Sequence, residues 1–452
     1  MFLPLTLFKY IFFSLFALFF LSACSENGID KLNKGDTLSV ITRNAPTTWY
    51  EGPEGLAGLE YELVQSFAKK HQLKVSFKVM DSIEEMLTAI KENNNHFVAA
   101  GITRSDNRED EGFEFGPDYQ QVQQLVICRR GAERIPKKTE DLIGLSLTVI
   151  AGSTYEETLK ELKDDHPELL WKVETDADTE QLLEQVWKKK LDCTISDSNI
   201  FSINRRYYPE LLMAFPVSEE QPLAWVLAPE WSGLDSAMED WLDDIEASGE
   251  LASLMERYYG HVDNYDYVDI SRLKRRVKSR LPKYEALLKK AAKKSGFTWT
   301  FLAAVSYQES HWSATSRSPT GVRGFMMLTK RTARSLGVTN RLDAAQSIDA
   351  GARYLKKILD RIPESVQEQD RMWYALTAYN IGYGHLMDAR LLAKRKGKNP
   401  DLWVELKTVL PLLSKKKYYR TLKHGYARGI EPIRYVQRVR EYQQVIDQLT
   451  GS

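Results

Sequence analysis

Residues 301–328 read FLAAVSYQESHWSATSRSPTGVRGFMML. Leu302, Val305, Glu309 and Trp312 follow one another at offsets of three, four and three, the spacing that lines residues along one face of an α-helix. A helix over this stretch therefore sets a carboxylate among apolar side chains. Glutamate is seldom buried without a partner, and apolar surroundings disfavour its charged form, raising the pKa toward what a general acid needs near neutral pH. Glu309 is thus the candidate acid; a solvated helix end is the other reading of the same residue.

Helical spacing continues beyond this stretch, in Tyr354, Leu355 and Ile358, in Met372, Leu376 and Tyr379, and in Tyr435, Val436 and Val439. No strand-like alternation interrupts it, so residues 268–452 read as an all-α module, entered through the basic run Arg272–Arg280. Charge separates this module from what precedes it. Residues 1–270 hold 25 Lys and Arg against 48 Asp and Glu, whereas residues 271–452 hold 37 against 14, which hides behind a net charge of zero. The asymmetry points to two modules with different partners, the basic one suited to a polyanion or a carboxylate-bearing polymer; solubility alone is the competing explanation.

Four motifs in order resemble the lysozyme-like lytic transglycosylases over roughly the last 180 residues: Glu309-Ser310, Gly324-Phe325-Met326-Met327, Ala378-Tyr379-Asn380 and Tyr435-Val436. That resemblance implies cleavage of peptidoglycan glycan strands. Glu309 first protonates the oxygen between N-acetylmuramic acid and N-acetylglucosamine, then accepts the muramic C6 hydroxyl proton as a 1,6-anhydro ring closes. Ser310, Met326, Met327, Tyr379 and Asn380 are the implied substrate-binding residues, with Met326 in the groove wall and Ser310 orienting carboxylate or sugar. Met327 departs from the family, which has glutamine there; a thioether neither donates nor accepts as an amide does, so sugar contacts are in doubt. Two alternatives stay open: a non-catalytic binding or sensing envelope lipoprotein, and a muramidase that hydrolyses the same bond. Ordinary glycosidases generally use two carboxylates, and the motif segments offer no obvious second one.

Upstream, residues 36–262 change rhythm. Leu38–Thr42 reads as a strand, Leu59, Leu63 and Phe67 as a helix, Leu73, Val75, Phe77 and Val79 as an alternating strand, and Phe97–Ile102 as a short buried one. The alternation predicts an α/β domain with a largely parallel sheet. The runs GLEYELVQSFAKKHQLKV and GITRSDNREDEGFEFGPDY resemble family 3 solute-binding proteins, periplasmic binders of amino acids. By that resemblance Thr103 and Arg108 hold a ligand carboxylate, which suits a planar guanidinium, Ser153 and Thr154 meet an anion at a helix start, and Asp197 takes an ammonium group. An amino acid or muropeptide is the implied ligand. Trp49 and Tyr50 are lesser candidates for an apolar wall.

The chain opens MFLPLTLFKYIFFSLFALFFLSAC, a basic residue followed by an apolar run and small residues, the layout of a signal peptide over residues 1–23. Leu21-Ser22-Ala23-Cys24 resembles a lipobox, which implies a lipid on Cys24 and, with Ser25 behind it, attachment to the outer membrane on its periplasmic face. Cys128 and Cys193 fall in apolar strand-like runs, where a free buried cysteine is the common state; whether they pair is open. No His, Asp, Glu or Cys spacing forms a zinc set, so neither metal nor other cofactor is expected, and nucleic acid is not expected as a partner. The whole reads as a multidomain envelope protein: an α/β periplasmic solute-binding domain followed by an all-α lysozyme-like domain.

Overall fold

A computed structural model describes residues 28–52, 55–92, 95–260, 267–318 and 321–451. The lipobox, Cys24 included, lies outside the described residues. The chain divides into two compact units. The first comprises the described residues up to Asn44 with Glu60–Gln121 and Gln221–Asp244; the second comprises Ala45–Leu59, Val122–Glu220 and the described residues from Ile245 onward.

Twelve strands occur among the described residues: β1 Thr37–Thr42, β2 Tyr50–Gly52, β3 Gly55–Ala57, β4 Lys74–Val79, β5 Phe97–Val98, β6 Glu114–Phe115, β7 Gln120–Arg129, β8 Leu147–Ile150, β9 Lys172–Glu174, β10 Cys193–Asp197, β11 Leu211–Leu223 and β12 Val226–Leu227. Eight helices accompany them: α1 Leu59–Lys70, α2 Ile83–Ala89, α3 Asp106–Asp110, α4 Thr154–Asp165, α5 Thr179–Trp187, α6 Ser198–Asn204, α7 Leu234–Ala247 and α8 Glu250–Tyr258. The first unit carries the sheet β4-β1-β5-β12-β6, parallel between β4, β1 and β5 and antiparallel at β12 and β6. The second sheet runs β11-β7-β10-β8-β9, again part parallel and part antiparallel.

Two mixed sheets thus replace the single, largely parallel sheet that the alternation suggested. Periodicity reports a strand's exposure to two faces and not its partner's direction. The expected strand over 97–102 shortens to β5, because the chain turns at Gly101, where φ is +67°, and the Ile102 carbonyl accepts from Ala224 N–H instead. Cys128 and Cys193 stand directly opposite on β7 and β10 and form a disulfide, with Cα atoms 4.3 Å apart. This register decides the pairing that the sequence left open, because sequence periodicity does not reveal it.

From residue 267 to 451 the described chain forms helices and turns, without a strand beyond isolated bridges. The helices are α9 Tyr267–Ser279, α10 Glu285–Ser295, α11 Trp299–Ser310, α12 Lys330–Ser335, α13 Ala344–Leu359, α14 Glu368–Ile381, α15 Tyr383–Arg395, α16 Trp403–Val409, α17 Lys416–Tyr419 and α18 Ile430–Thr450. The 21-residue α18 spans about 30 Å and is the helix against which α9, α11 and α14 pack. One apolar core results, centred on Tyr307, Trp312, Phe325, Tyr374, Trp403 and Tyr442. Burying each such side chain contributes about 2–3 kcal/mol before ordering entropy is subtracted.

A charged clasp lies within this second unit. Glu256, buried near the end of α8, accepts Lys407 Nζ at 2.5 Å and Trp403 Nε1 at 3.2 Å, both from α16. Arg440 of α18 faces the same carboxylate at 3.5 Å and donates to the carbonyls of Glu256 and Arg257 at 2.9 and 2.6 Å. Its guanidinium also lies over the Trp373 ring, 4.2 Å from the centroid. Burial pulls its pKa down to about 10, which leaves it charged at neutral pH.

Candidate functional site

The Thr298 hydroxyl caps α11 by accepting Phe301 N–H at 3.2 Å. Residues 300–307 of α11 are buried on every side, as expected of a helix that is apolar all round. The helix stops at Ser310, and His311 and Trp312 both adopt left-handed backbone, with φ of 51° and 58°. Trp312 therefore does not continue the helical stripe as its spacing suggested. It turns back, buried, and donates its indole N–H to the Ala303 carbonyl at 2.9 Å. Holding two non-glycine residues left-handed costs on the order of 1–3 kcal/mol each, which the buried indole helps to offset.

This stop leaves Glu309 partly exposed in the last turn of α11, with its carboxyl crowded by protein. Burial pushes its pKa up to about 7, opposed in part by the Tyr435 hydroxyl, which donates to Oε1 at 2.6 Å. Tyr435 was quoted in a motif but given no role by the sequence. It stands on α18, and nothing in local spacing ties it to Glu309. Both Tyr435 and Tyr379 have hydroxyl pKa values raised far by burial, with the nearby Glu309 charge adding to it, so both are donors at physiological pH.

The Gly324–Met327 turn closes this region from the other side. Arg323 and Leu328 exchange N–H···O bonds at 3.2 and 3.0 Å, and Gly324 takes φ +89°; a Cβ there would sit 1.7 Å from the Arg341 carbonyl oxygen. Ser310 Oγ donates to the Phe325 carbonyl at 2.8 Å and accepts Ser313 N–H at 3.2 Å, so it pins the turn to the end of α11. Tyr379 Oη donates to the Met326 carbonyl at 2.9 Å, pinning the same turn to α14.

Met326 itself is 1% exposed, packs its side chain on Gly351 and donates its N–H to Ser347 Oγ at 3.0 Å. This corrects the expectation of a Met326 side chain in a groove wall: Met326 serves the region through its backbone. Met327 is partly exposed and left-handed, with φ +47°, while Asn380 is exposed at the end of α14. The structure thus gathers Glu309, Ser310, Met326 and Tyr379 with Tyr435, and leaves Asn380 open to solvent.

The expected ligand residues of the other module divide between the units. In the first unit, Arg108 is 4% exposed and donates to the Thr103 carbonyl at 2.6 Å; Thr103 is similarly buried. Arg108, although it lies in a charged stretch with Asp106, Glu109 and Asp110, is therefore not a solvated surface residue. The loop before them hangs on Glu60, which sequence reasoning passed over: its carboxylate accepts Gly101 N–H at 2.7 Å, Trp225 Nε1–H at 2.6 Å and the Tyr119 hydroxyl. Burial raises the Glu60 pKa, and these donors oppose the shift.

In the second unit, Ser153 precedes α4 and donates its hydroxyl to the Ile150 carbonyl at 2.7 Å. Thr154 Oγ1 accepts from Gln124 at 3.2 Å, and Asp197, buried at the end of β10, donates its N–H to Tyr155 Oη at 3.1 Å. Trp49 and Tyr50 are half-buried in this unit.

No group of three or more His, Cys, Asp or Glu among the described residues is placed to hold a metal. No described helix is long and apolar enough to cross a membrane.

Residues 286–402 match the Transglycosylase SLT domain family, and residues 38–261 match the bacterial extracellular solute-binding proteins, family 3. Among curated relatives, a protein of Saccharophagus degradans named membrane-bound lytic murein transglycosylase F is 44% identical, over 92% of this chain and 83% of that one. A namesake in Aliivibrio fischeri is 41% identical over 92% and 84% of the respective chains. Alkalilimnicola ehrlichii has one, membrane-bound lytic murein transglycosylase F 2, that is 42% identical over 95% and 96%.

Proposed function

This chain belongs to the membrane-bound lytic murein transglycosylase F family and is a lytic transglycosylase of peptidoglycan, and from that premise we propose that Glu309 is its acid and base. The observation that carries the assignment is a glutamate whose pKa is pushed up to about 7, held by one tyrosine hydroxyl at the end of a buried helix. A carboxyl so placed is about half protonated near pH 7, where an ordinary glutamate would be almost wholly ionised, and so can give a proton to a glycosidic oxygen. Once ionised, the same group accepts the C6 hydroxyl proton, and the 1,6-anhydro ring closes on C1 without water. Tyr435 acts as a positioning residue for that carboxylate. Tyr379 and Ser310 fix the 324–327 turn beside it, and Met327 and Asn380 are left to meet sugar.

Product chemistry tests this reading. Purified sacculi digested by the mature protein should yield anhydro-muropeptides by mass spectrometry. Reducing ends instead would mean hydrolysis, and an absence of products would favour a sensing lipoprotein.

The rate should fall along one limb near pH 7 as Glu309 loses its proton. Tyr435 donates to the charged form and so lowers the Glu309 pKa. Tyr435→Phe is therefore expected to move that limb to higher pH. A limb that stays put, or moves down, would show that the hydroxyl does not stabilise the carboxylate.

For the solute-binding module we infer an amino acid or muropeptide ligand, with buried Arg108 and Thr103 toward its carboxylate, Ser153 and Thr154 toward an anionic group, and Asp197 toward an ammonium group. Binding there is proposed to alter sacculus digestion. Titrating amino acids and soluble muropeptides against Arg108→Ala and the parent protein tests both points: ligands that bind the parent yet leave digestion unchanged would remove the regulatory part. A lipid on Cys24, holding the protein to the periplasmic face of the outer membrane, is proposed from the lipobox and agrees with the relatives being named membrane-bound.

A further inference from the structure

The basic charge of the catalytic module is not evenly spread. Residues 383–428 hold twelve Lys and Arg but three acids. Each of those acids is engaged. Asp388 is buried and accepts His424 N–H at 2.7 Å, Asp401 pairs with Arg390, and Glu405 accepts Asn399 N–H at 3.0 Å. No exposed carboxylate of this segment is left to neutralise Lys415, Lys416, Lys417, Arg420 and Lys423, all of which are exposed.

Their placement is ordered. The segment from Lys415 to His424 runs back along α15: the Tyr418 ring lies under Lys396 at 5.6 Å, Thr421 accepts Arg395 at 3.2 Å, and His424 reaches Asp388 and stacks edge-on to His385 with ring centroids 6.0 Å apart. The strip therefore starts at the C-terminal end of α15 and leads to its N-terminal end, a length of about 20 Å. That N-terminal end follows directly on Ala378-Tyr379-Asn380. Along it stand aromatic rings, Tyr419 packed edge-on against Tyr426, whose relative exposure is 54%.

We propose that this strip is a docking surface for the carboxylates of the peptides borne by peptidoglycan, extending the contact of the enzyme with its polymer beyond the sugars at Glu309. The inference rests on the transglycosylase reading for the identity of the polymer. Its support is charge complementarity and direction: a cationic, acid-free track that leads to the segment beside Glu309 suits a chain bearing carboxylates at intervals, with exposed Tyr426 and half-buried Tyr419 to cover its apolar parts. An anionic membrane is the competing partner for lysines and tyrosines on a surface, but it would not require a track that leads toward the site.

The test uses the full mature protein carrying Lys415→Glu, Lys416→Glu, Lys417→Glu and Lys423→Glu, with its circular dichroism and melting checked against the parent. Sedimentation with sacculi at low salt is expected to weaken about tenfold, with a shallower dependence on salt. The parent protein should weaken likewise on sacculi whose carboxylates have been amidated, which requires no variant to fold. Release of products from glycan strands stripped of their peptides should be unchanged. Unaltered sedimentation in both experiments would overturn the proposal, as would an equal loss on peptide-free strands. Retained sacculus binding with lost adhesion to phosphatidylglycerol vesicles would assign the strip to a membrane instead. A parent that binds sacculi yet releases no product would refute the enzymatic reading, while the sedimentation comparison would still decide the strip.

Discussion

Glu309→Gln is expected to lower release of anhydro-muropeptides from sacculi by roughly three orders of magnitude, because an amide can neither give the proton nor take it back. The same substitution should make the protein more stable at alkaline pH. With its pKa raised from 4.5 to about 7, Glu309 keeps its proton in the folded chain where the unfolded chain has lost it. A raised carboxyl pKa contributes stability that is fully present below about pH 4.5 and is lost as pH rises through 7. An amide at this position, which does not titrate, removes that dependence. The variant should therefore match the parent near pH 4.5 and exceed it by on the order of 2 kcal/mol at pH 8, measured by urea unfolding at the two pH values. Glu441, whose pKa burial pushes up to about 8, titrates in both proteins and cancels from the difference. Equal stability at both pH values would mean that the Glu309 carboxyl is fully solvated, and the reason for naming it the acid would go with it.

Glu256→Ala is expected to destabilise the second unit by about 3–5 kcal/mol, the usual cost of leaving one partner of a buried charge pair uncompensated. Lys407 can turn outward to water, but Arg440 cannot: its side chain is 11% exposed, lies over Trp373 and is tethered to two carbonyls. Trp403 loses its indole acceptor in the same step. A double variant that also replaces Arg440 by Met should recover part of the loss, since it removes the orphaned charge. A measured loss below about 1 kcal/mol, or no recovery in the double variant, would show that Arg440 is compensated from elsewhere.

The helix that carries Glu309 was legible in the spacing of Leu302, Val305 and Glu309, and the Glu-Ser motif singled out the carboxylate on it. What surrounds the acid was not legible to the same degree. Trp312 matched the spacing but lies beyond the helix, since two left-handed residues end α11 and periodicity carries no information on where a helix stops. Met326 was assigned a side-chain role when its backbone carbonyl is what the site uses, a distinction no motif makes. Tyr435 and Glu60 escaped because their partners come from distant segments. The strand alternation of the first module found its elements but not the directions of their pairing, so Cys128 and Cys193 came into register unannounced. The positive charge of the last module was visible in its count, whereas its concentration along α15 required the fold.

The hydrogen bond between Tyr435 and Glu309 joins residues 126 positions apart. During synthesis the acid therefore leaves the ribosome well before the helix that crowds it and the hydroxyl that holds it. Until α18 docks, Glu309 lacks the hydroxyl that holds it and the packing that α18 adds against its helix. A chain interrupted anywhere before Tyr435 would carry the complete Glu-Ser motif without the hydroxyl that positions its carboxylate, so this site is complete only once the last helix is in place.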